Sequence, residues 1–296
     1  MNVKYVMCPV CSSDYIEHKL NATDHTVSHE SFEIWECKAC TLRFTQNVPN
    51  ENNIGRYYQS EDYISHTDTK KGLINSLYHK VRKRTLNGKR DLIIKYTGIQ
   101  KGNILDIGAG TGAFLNTMKQ AGWESTGIEP SDDARAAAQR LYELSLQPLD
   151  DLRSFPVQSF DAITMWHVLE HVHDLQGYMK RLKELLKPNG ILFIAVPNYT
   201  SYDALVYKEF WAAYDVPRHL YHFSPLSMRQ LLKEYELNLR DICPMWFDSF
   251  YVSMLSEKYK RGANNYIGAF ANGLLSNMKA LANKEKCSSL IYIIGK

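Results

Sequence analysis

From residue 103 onward the sequence alternates short apolar runs with amphipathic stretches, and this rhythm restricts the fold more than any other feature. "NILDIGAG" is an apolar run ending in glycines, a strand that enters a loop. "TGAFLNTMKQAG" continues as a helix with Gly122 as its C-terminal cap. "WESTGIEP" reads as a second strand and "SDDARAAAQRLYEL" as a second helix, capped by Ser131 or Asp132. "SLQPLDDL" supplies a third strand and loop, "SFDAITMWHV" a fourth strand, "DLQGYMKRLKELLKPNG" a helix and "GILFIAVPN" a fifth strand. Such alternation over short connections predicts an α/β fold with a doubly wound, mostly parallel sheet.

The first loop carries the chemistry. Gly108, Gly110 and Gly112, with Ala109 between the first two, spell G-x-G-x-G and miss the G-x-G-x-x-G spacing of a dinucleotide site. Asp106 stands two residues before the first glycine, where a pyrophosphate would meet its repulsion. S-adenosylmethionine (SAM) carries an ammonium and a sulfonium instead, and a nearby carboxylate favours both. Charge therefore selects SAM over NAD. Glu129 ends the second strand, placed like the acid that accepts ribose hydroxyls in doubly wound folds. Asp150 and Asp151 end the third, where one can accept from an adenine amino group. A helix cap explains any one of these acids equally well, but explains three successive strand ends less economically.

Four of the six cysteines form two C-x-x-C pairs, Cys8 with Cys11 and Cys37 with Cys40. Two close-spaced thiol pairs suit a tetrahedral all-thiolate zinc site, and the long spacer is tolerated as a hairpin. Four thiolates leave no open coordination position, so the expected zinc is structural. It would supply folding energy that about 50 residues lack by burial alone. Disulfides are the bland alternative, unfavoured in a cytoplasmic chain. The start lacks the apolar core of a secretory signal, and no apolar run is long enough to span a bilayer; both lead us to expect a cytoplasmic protein without a membrane span.

Net charge is +3, so its distribution matters more than its size. Residues 1–60 hold five Lys/Arg against seven Asp/Glu, whereas residues 61–100 hold nine against four. The basic excess falls on a helical pattern through Leu73, Leu77 and Val81, read as a solvated face or as a patch for an anionic substrate.

"ILDIGAGTGAFL", "GIEPS", "FDAITMWHVLEHVHD" and "LLKPNGILFIAVPN" together resemble the successive motifs of class I SAM-dependent methyltransferases. The layout is similar to a bacterial subgroup with an N-terminal four-cysteine zinc module. The resemblance implies a Rossmann-like, seven-stranded sheet whose last strand is antiparallel, with "NLRDICPMW" and "SLIYIIGK" as the final pair. Expected divisions are a zinc-ribbon-like module at 1–50, a linker and basic helix at 51–100, and a SAM-binding domain at 101–296 with an insertion at about 248–285.

"WHVLEH" matches the H-x-x-E-H pattern of a zinc protease through His167, Glu170 and His171. In the methyltransferase frame these residues instead leave the carboxyl end of the fourth strand, the edge where doubly wound sheets bind ligands. The likeness implies that Trp166 to Val168 line the SAM pocket. Methyl transfer to a hydroxyl or amine also requires loss of a proton, and histidine is the natural base near neutral pH. His167 is the first candidate, followed by His219 and His222 in "VPRHLYHFSP", where Arg218 and Tyr221 suit a substrate pocket. "GRYYQSEDYISH" offers an aromatic lid through Tyr57, Tyr58 and Tyr63, or packing between modules. The expected function is methyl transfer to a small-molecule or glycan-intermediate acceptor. RNA methylation gripped by the zinc module, and a non-catalytic SAM-binding scaffold, are the alternatives. The acidic balance of the module weighs against nucleic acid.

Overall fold

The computed structural model describes residues 2–59 and 73–296; Tyr63 of the expected lid lies outside them. Its strands in chain order are β1 (Asn2–Val3), β2 (Ile16–Thr23), β3 (Ser31–Cys37), β4 (Arg43–Thr45), β5 (Val48–Pro49), β6 (Asn103–Ile107), β7 (Glu124–Ile128), β8 (Phe160–Trp166), β9 (Leu186–Pro197), β10 (Tyr221–His222), β11 (Asn238–Pro244) and β12 (Ser289–Gly295).

A six-stranded sheet has the order β11-β12-β9-β8-β6-β7. β6 pairs in parallel with both β7 and β8, which sets Asp106 opposite Gly127 on one side and Thr164 on the other. Ile104, Leu105, Ile163, Met165, Phe193 and Ile194 have essentially no exposed surface. Such largely apolar strands are what a sheet covered on both faces demands. The expected third strand contracts to one parallel bridge, Ile128 with Gln147. Pro148 follows and cannot donate to a ladder, and Leu149–Arg153 turns into a 3₁₀ helix. That bridge holds the seventh place in the sheet order.

The chain divides into two compact units. One comprises Met179–Ile194, Ile293–Lys296 and the described part of 67–168, including the helices Leu73–Thr97, Ala113–Gln120 and Asp132–Tyr142. In it Gly122 follows the first loop's helix at φ +87°, and Ser131 caps the next by accepting from the Ala134 N–H.

The other unit joins the described part of 1–66 to Leu169–Tyr178 and Ala195–Tyr292. Phe32, Ile34 and Tyr57 share one apolar cluster with Tyr207, Trp211 and Tyr214. β10 adds to the hairpin sheet in the order β10-β4-β3-β2. The cysteine-bearing segment thus shares its core with residues far along the chain. Two helices, Asp248–Arg261 and Tyr266–Ala282, occupy the segment between β11 and β12 where an insertion was expected.

Candidate functional sites

The loop after β6 is built on left-handed glycines. Gly108, Gly110 and Gly112 have φ of +72°, +54° and +79°, a region that L side chains rarely adopt. A Cβ on Gly108 would lie 2.4 Å from Val168 Cγ2, so close packing also forbids a side chain there. Gly110 has the opposite surroundings, with nothing within 4 Å of an added Cβ. Backbone at that point is therefore open to close approach by a ligand.

Glu129, 9% exposed, clamps this loop: its carboxylate accepts from the Gly110 N–H at 2.8 Å and from the Ser131 N–H at 2.9 Å. Each carboxylate oxygen retains a second lone pair, which ribose hydroxyls can use. Asp106 is buried and accepts from Thr164 Oγ1 at 2.6 Å. Burial pushes its pKa up to about 7, against the Thr164 hydrogen bond and the field of Lys89. A carboxylate held this far from water favours a cationic ligand, such as an ammonium. Trp166, at the end of β8, has a buried Nε1 with no hydrogen-bond partner among the described residues. Its ring meets Phe114 edge-on at 5.5 Å, and Lys89 Nζ sits 4.1 Å above its centroid. These features fit SAM: open glycine backbone, an acid for ribose, a buried acid for an ammonium, and an orphaned donor.

Lys89 is a participant that the sequence alone did not reveal. It sits in a basic helix where Lys83 and Arg84 are exposed while Arg82, Lys89 and Arg90 are half-buried, and nothing in that run distinguishes the one that meets Trp166. Asp150 is exposed and Asp151 half-buried, both in the first turn of the 3₁₀ helix after Gln147.

His167 follows β8 directly, half-buried and at φ +58°. A non-glycine residue in this region is uncommon and signals a position fixed by its surroundings. Residues 169–171 form a short 3₁₀ turn, not a long helix carrying two zinc-binding histidines on one face. Glu170 and His171 fall in the other unit, with His219. One ligand atom from each of these three lies within 4.8 Å of the others, an arrangement able to hold a cation. His219 Nδ1 is 2.9 Å from the Ala213 carbonyl and His171 Nδ1 is 3.0 Å from that of Arg218. Burial and the neighbouring His219 drive the His171 pKa down to about 4.

His222 is buried in β10, with Nε2 3.0 Å from Thr45 Oγ1 and a pKa held well below the usual value by burial. Arg218, expected to line a pocket, is only 2% exposed. Its guanidinium is bonded to Asp24, Thr26, Asp215 and the Tyr57 carbonyl, a buried structural role and not a pocket wall. Tyr57 is likewise a core residue and not a lid, donating to Glu30 at 2.6 Å.

The four patterned cysteines converge. Cys8 and Cys40 sulfurs are 3.5 Å apart, those of Cys11 and Cys37 3.6 Å, and all four lie within 4.8 Å of one another. Tetrahedral zinc at about 2.3 Å from each sulfur places sulfurs about 3.8 Å apart. The two pairs have matching turns. Ser12 and Thr41, each just after a pair, are left-handed, and their N–H groups donate to the Cys8 and Cys37 carbonyls. The Val10 N–H points at Cys8 Sγ, a donor that stabilises a thiolate. The cysteines are free, so the sulfurs remain available as ligands.

A family model described as a methyltransferase domain matches residues 78–242. A ubiquinone biosynthesis O-methyltransferase of Xanthomonas oryzae pv. oryzae (strain PXO99A) is 30% identical over 159 residues. That match covers 49% of this chain and 66% of the relative, just under two thirds of its length. Among solved structures, magnesium protoporphyrin IX methyltransferase from Synechocystis PCC 6803 with bound SAH superposes with a TM-score of 0.54 at 13% identity, covering 83% of this chain and all of that one. A putative sarcosine dimethylglycine methyltransferase from Galdieria sulphuraria gives 0.52 at 14%, covering 73% and 86%. At such identities the two structures speak to the fold alone.

Proposed function

The chain belongs to the methyltransferase domain family, and from that premise we propose that it transfers a methyl group from SAM to a hydroxyl of a small-molecule acceptor. The observation that carries this reading is the alignment of Asp106, the open backbone at Gly110 and Glu129 along the carboxyl ends of β6 and β7. Asp106 would face the ammonium, Glu129 the ribose, and Asp150 or Asp151 the adenine amino group. When bound, SAM supplies an electrophilic methyl on a sulfonium. Trp166 and Lys89 give the pocket an aromatic wall stiffened by a cation. His167 would accept the acceptor's proton on a ring nitrogen, while the pocket holds the nucleophile in line. Oxygen is preferred as acceptor atom because the matched relative is named an O-methyltransferase.

Replacing Glu129 with Ala removes both the loop clamp and the ribose acceptor, a loss of about 1.5–3 kcal/mol for a charged hydrogen bond. Calorimetry should show SAM affinity falling at least about tenfold. Unchanged affinity would remove Glu129 from the site. Transfer of labelled methyl from SAM to a panel of phenols, catechols and sugars then tests the acceptor class.

Cys8, Cys11, Cys37 and Cys40 would hold one structural zinc ion per chain. Cys8→Ser should lower the zinc content measured by elemental analysis. It should also lower the stability of the unit that shares the cysteine segment's core, because metal binding and folding are linked there. A chain purified without zinc and equally stable in chelator would contradict this role.

A further inference from the structure

The helix Tyr266–Ala282, "YIGAFANGLLSNMKALA", is built the wrong way round for a soluble surface helix. Its buried positions are the small residues Ala269, Gly273, Ser276 and Ala280. They let the helix approach Asp248–Arg261 so closely that a Cβ on Gly273 would lie 2.7 Å from Phe250 Cδ1. The large apolar residues point outward instead. Ile267 is 85% exposed, Phe270 61%, Met278 56% and Leu281 76%, with Leu274 between them at 44%. Their spacing puts them on one helical face, which ordinary amphipathic patterning turns inward. Tyr251, Phe247 and Trp246 on the preceding segment are also exposed.

Charge indicates what covers this face. Residues 258–284 contain Lys258, Lys260, Arg261, Lys279 and Lys284 and no Asp or Glu, and of these Arg261 pairs with Glu257 and Lys284 with Asp241. Outside those two pairs, Lys260 stands before the helix and Lys279 in its last turn, so cations flank both ends of the apolar face. A second copy of this chain, packed parallel or antiparallel, would bring cations onto cations with no carboxylate on the helix to offset them. The apolar face is also broader than a two-stranded seam, since adjacent pairs such as Tyr266 with Ile267 and Leu274 with Leu275 are all exposed. An anionic lipid surface meets both features, taking apolar side chains into its acyl boundary and cations at its headgroups. No helix among the described residues is long and apolar enough to cross a membrane. At 17 residues this one is about 26 Å long and suited to lying in the interface plane.

We propose that the hairpin formed by Asp248–Arg261 and Tyr266–Ala282 is an interfacial anchor that lays its outer apolar face on an anionic membrane surface. The test is flotation of the full chain with phosphatidylcholine vesicles prepared with and without phosphatidylglycerol. The chain should float with the anionic vesicles, less so at high salt, and Trp246 fluorescence should shift to the blue. The double variant Ile267→Ser, Phe270→Ser, at exposed positions that leave the inner face intact, should lose at least about tenfold in partitioning. Lys260→Glu with Lys279→Glu should abolish the preference for anionic vesicles. Absence of flotation with either vesicle would overturn the proposal. So would a stable dimer in sedimentation that the apolar double variant dissociates while vesicles bind neither form. Equal flotation of wild type and the apolar variant would overturn it as well.

Discussion

His167→Ala should lower single-turnover methyl transfer by about 10²–10⁴-fold, the range for loss of a positioned general base. SAM affinity should change little, because the base acts on the acceptor. The position also permits a control for structure. At φ +58° the backbone of His167 is in the left-handed region, where any Cβ costs about 1–2 kcal/mol relative to glycine. His167→Gly should therefore fold at least as stably as His167→Ala while losing as much activity. A loss of turnover in a variant that is no less stable separates chemistry from folding. His219→Ala and His222→Ala should cost less turnover, since the rings already bond the Ala213 carbonyl and Thr45. Full activity in both His167 variants would leave alignment of the nucleophile as the whole contribution of the protein.

Arg218→Ala should destabilise the protein by about 3–5 kcal/mol, the usual consequence of stranding a buried charge. The guanidinium joins Asp24 at 3.1 Å, Asp215 at 2.6 Å and the Tyr57 carbonyl at 2.7 Å, and Asp24 is 1% exposed. Burial works to raise the Asp24 pKa, but the N–H groups of Ser28 and Thr26 and the charge of Arg218 outweigh it and hold the carboxyl well below its ordinary value. A depressed folded pKa contributes stability that is present above the unfolded value of about 3.9 and is lost as pH falls through the folded value. Without Arg218 that contribution shrinks. The deficit of the variant should be largest near neutral pH and diminish in acid, where protonation relieves the stranded carboxylate. Urea unfolding at pH 7 and at a pH well below about 3.9 measures both quantities. A deficit under about 1 kcal/mol would place this cluster with ordinary surface ion pairs.

The sheet was legible because buried parallel strands must be mostly apolar, and β6, β8 and the second half of β9 are written that way, with Asp106 and Thr164 as buried polar exceptions. The cysteine site was legible from spacing alone, since two C-x-x-C turns fold locally before anything else is known. The third strand was not, because "SLQPLDDL" has strand-like composition while the effect of Pro148 depends on the neighbouring ladder. Arg218 misled for a different reason. An arginine among aromatics reads the same whether it lines a pocket or is buried, and its partner Asp24 is 194 positions away. The apolar cluster joining Ile34 to Trp211 follows contacts that no local pattern records. The outward-facing helix at 266–282 broke the rule that apolar periodicity points to a core.

Titration with SAM as a function of pH tests the cofactor site most directly, because Asp106 has a pKa of about 7 and is 2% exposed. Below that value the carboxyl is protonated and neutral, and an ammonium gains little from it. Above it the carboxylate is ionised, while an α-amino group remains charged up to about pH 7.7–8.0. Affinity measured by calorimetry should therefore rise between about pH 6 and 7.5, with net release of protons, and NADH should bind more weakly than SAM throughout. SAM affinity independent of pH with no proton release, or NADH binding as tightly as SAM, would contradict the assignment of Asp106 and its loop to a cationic cofactor.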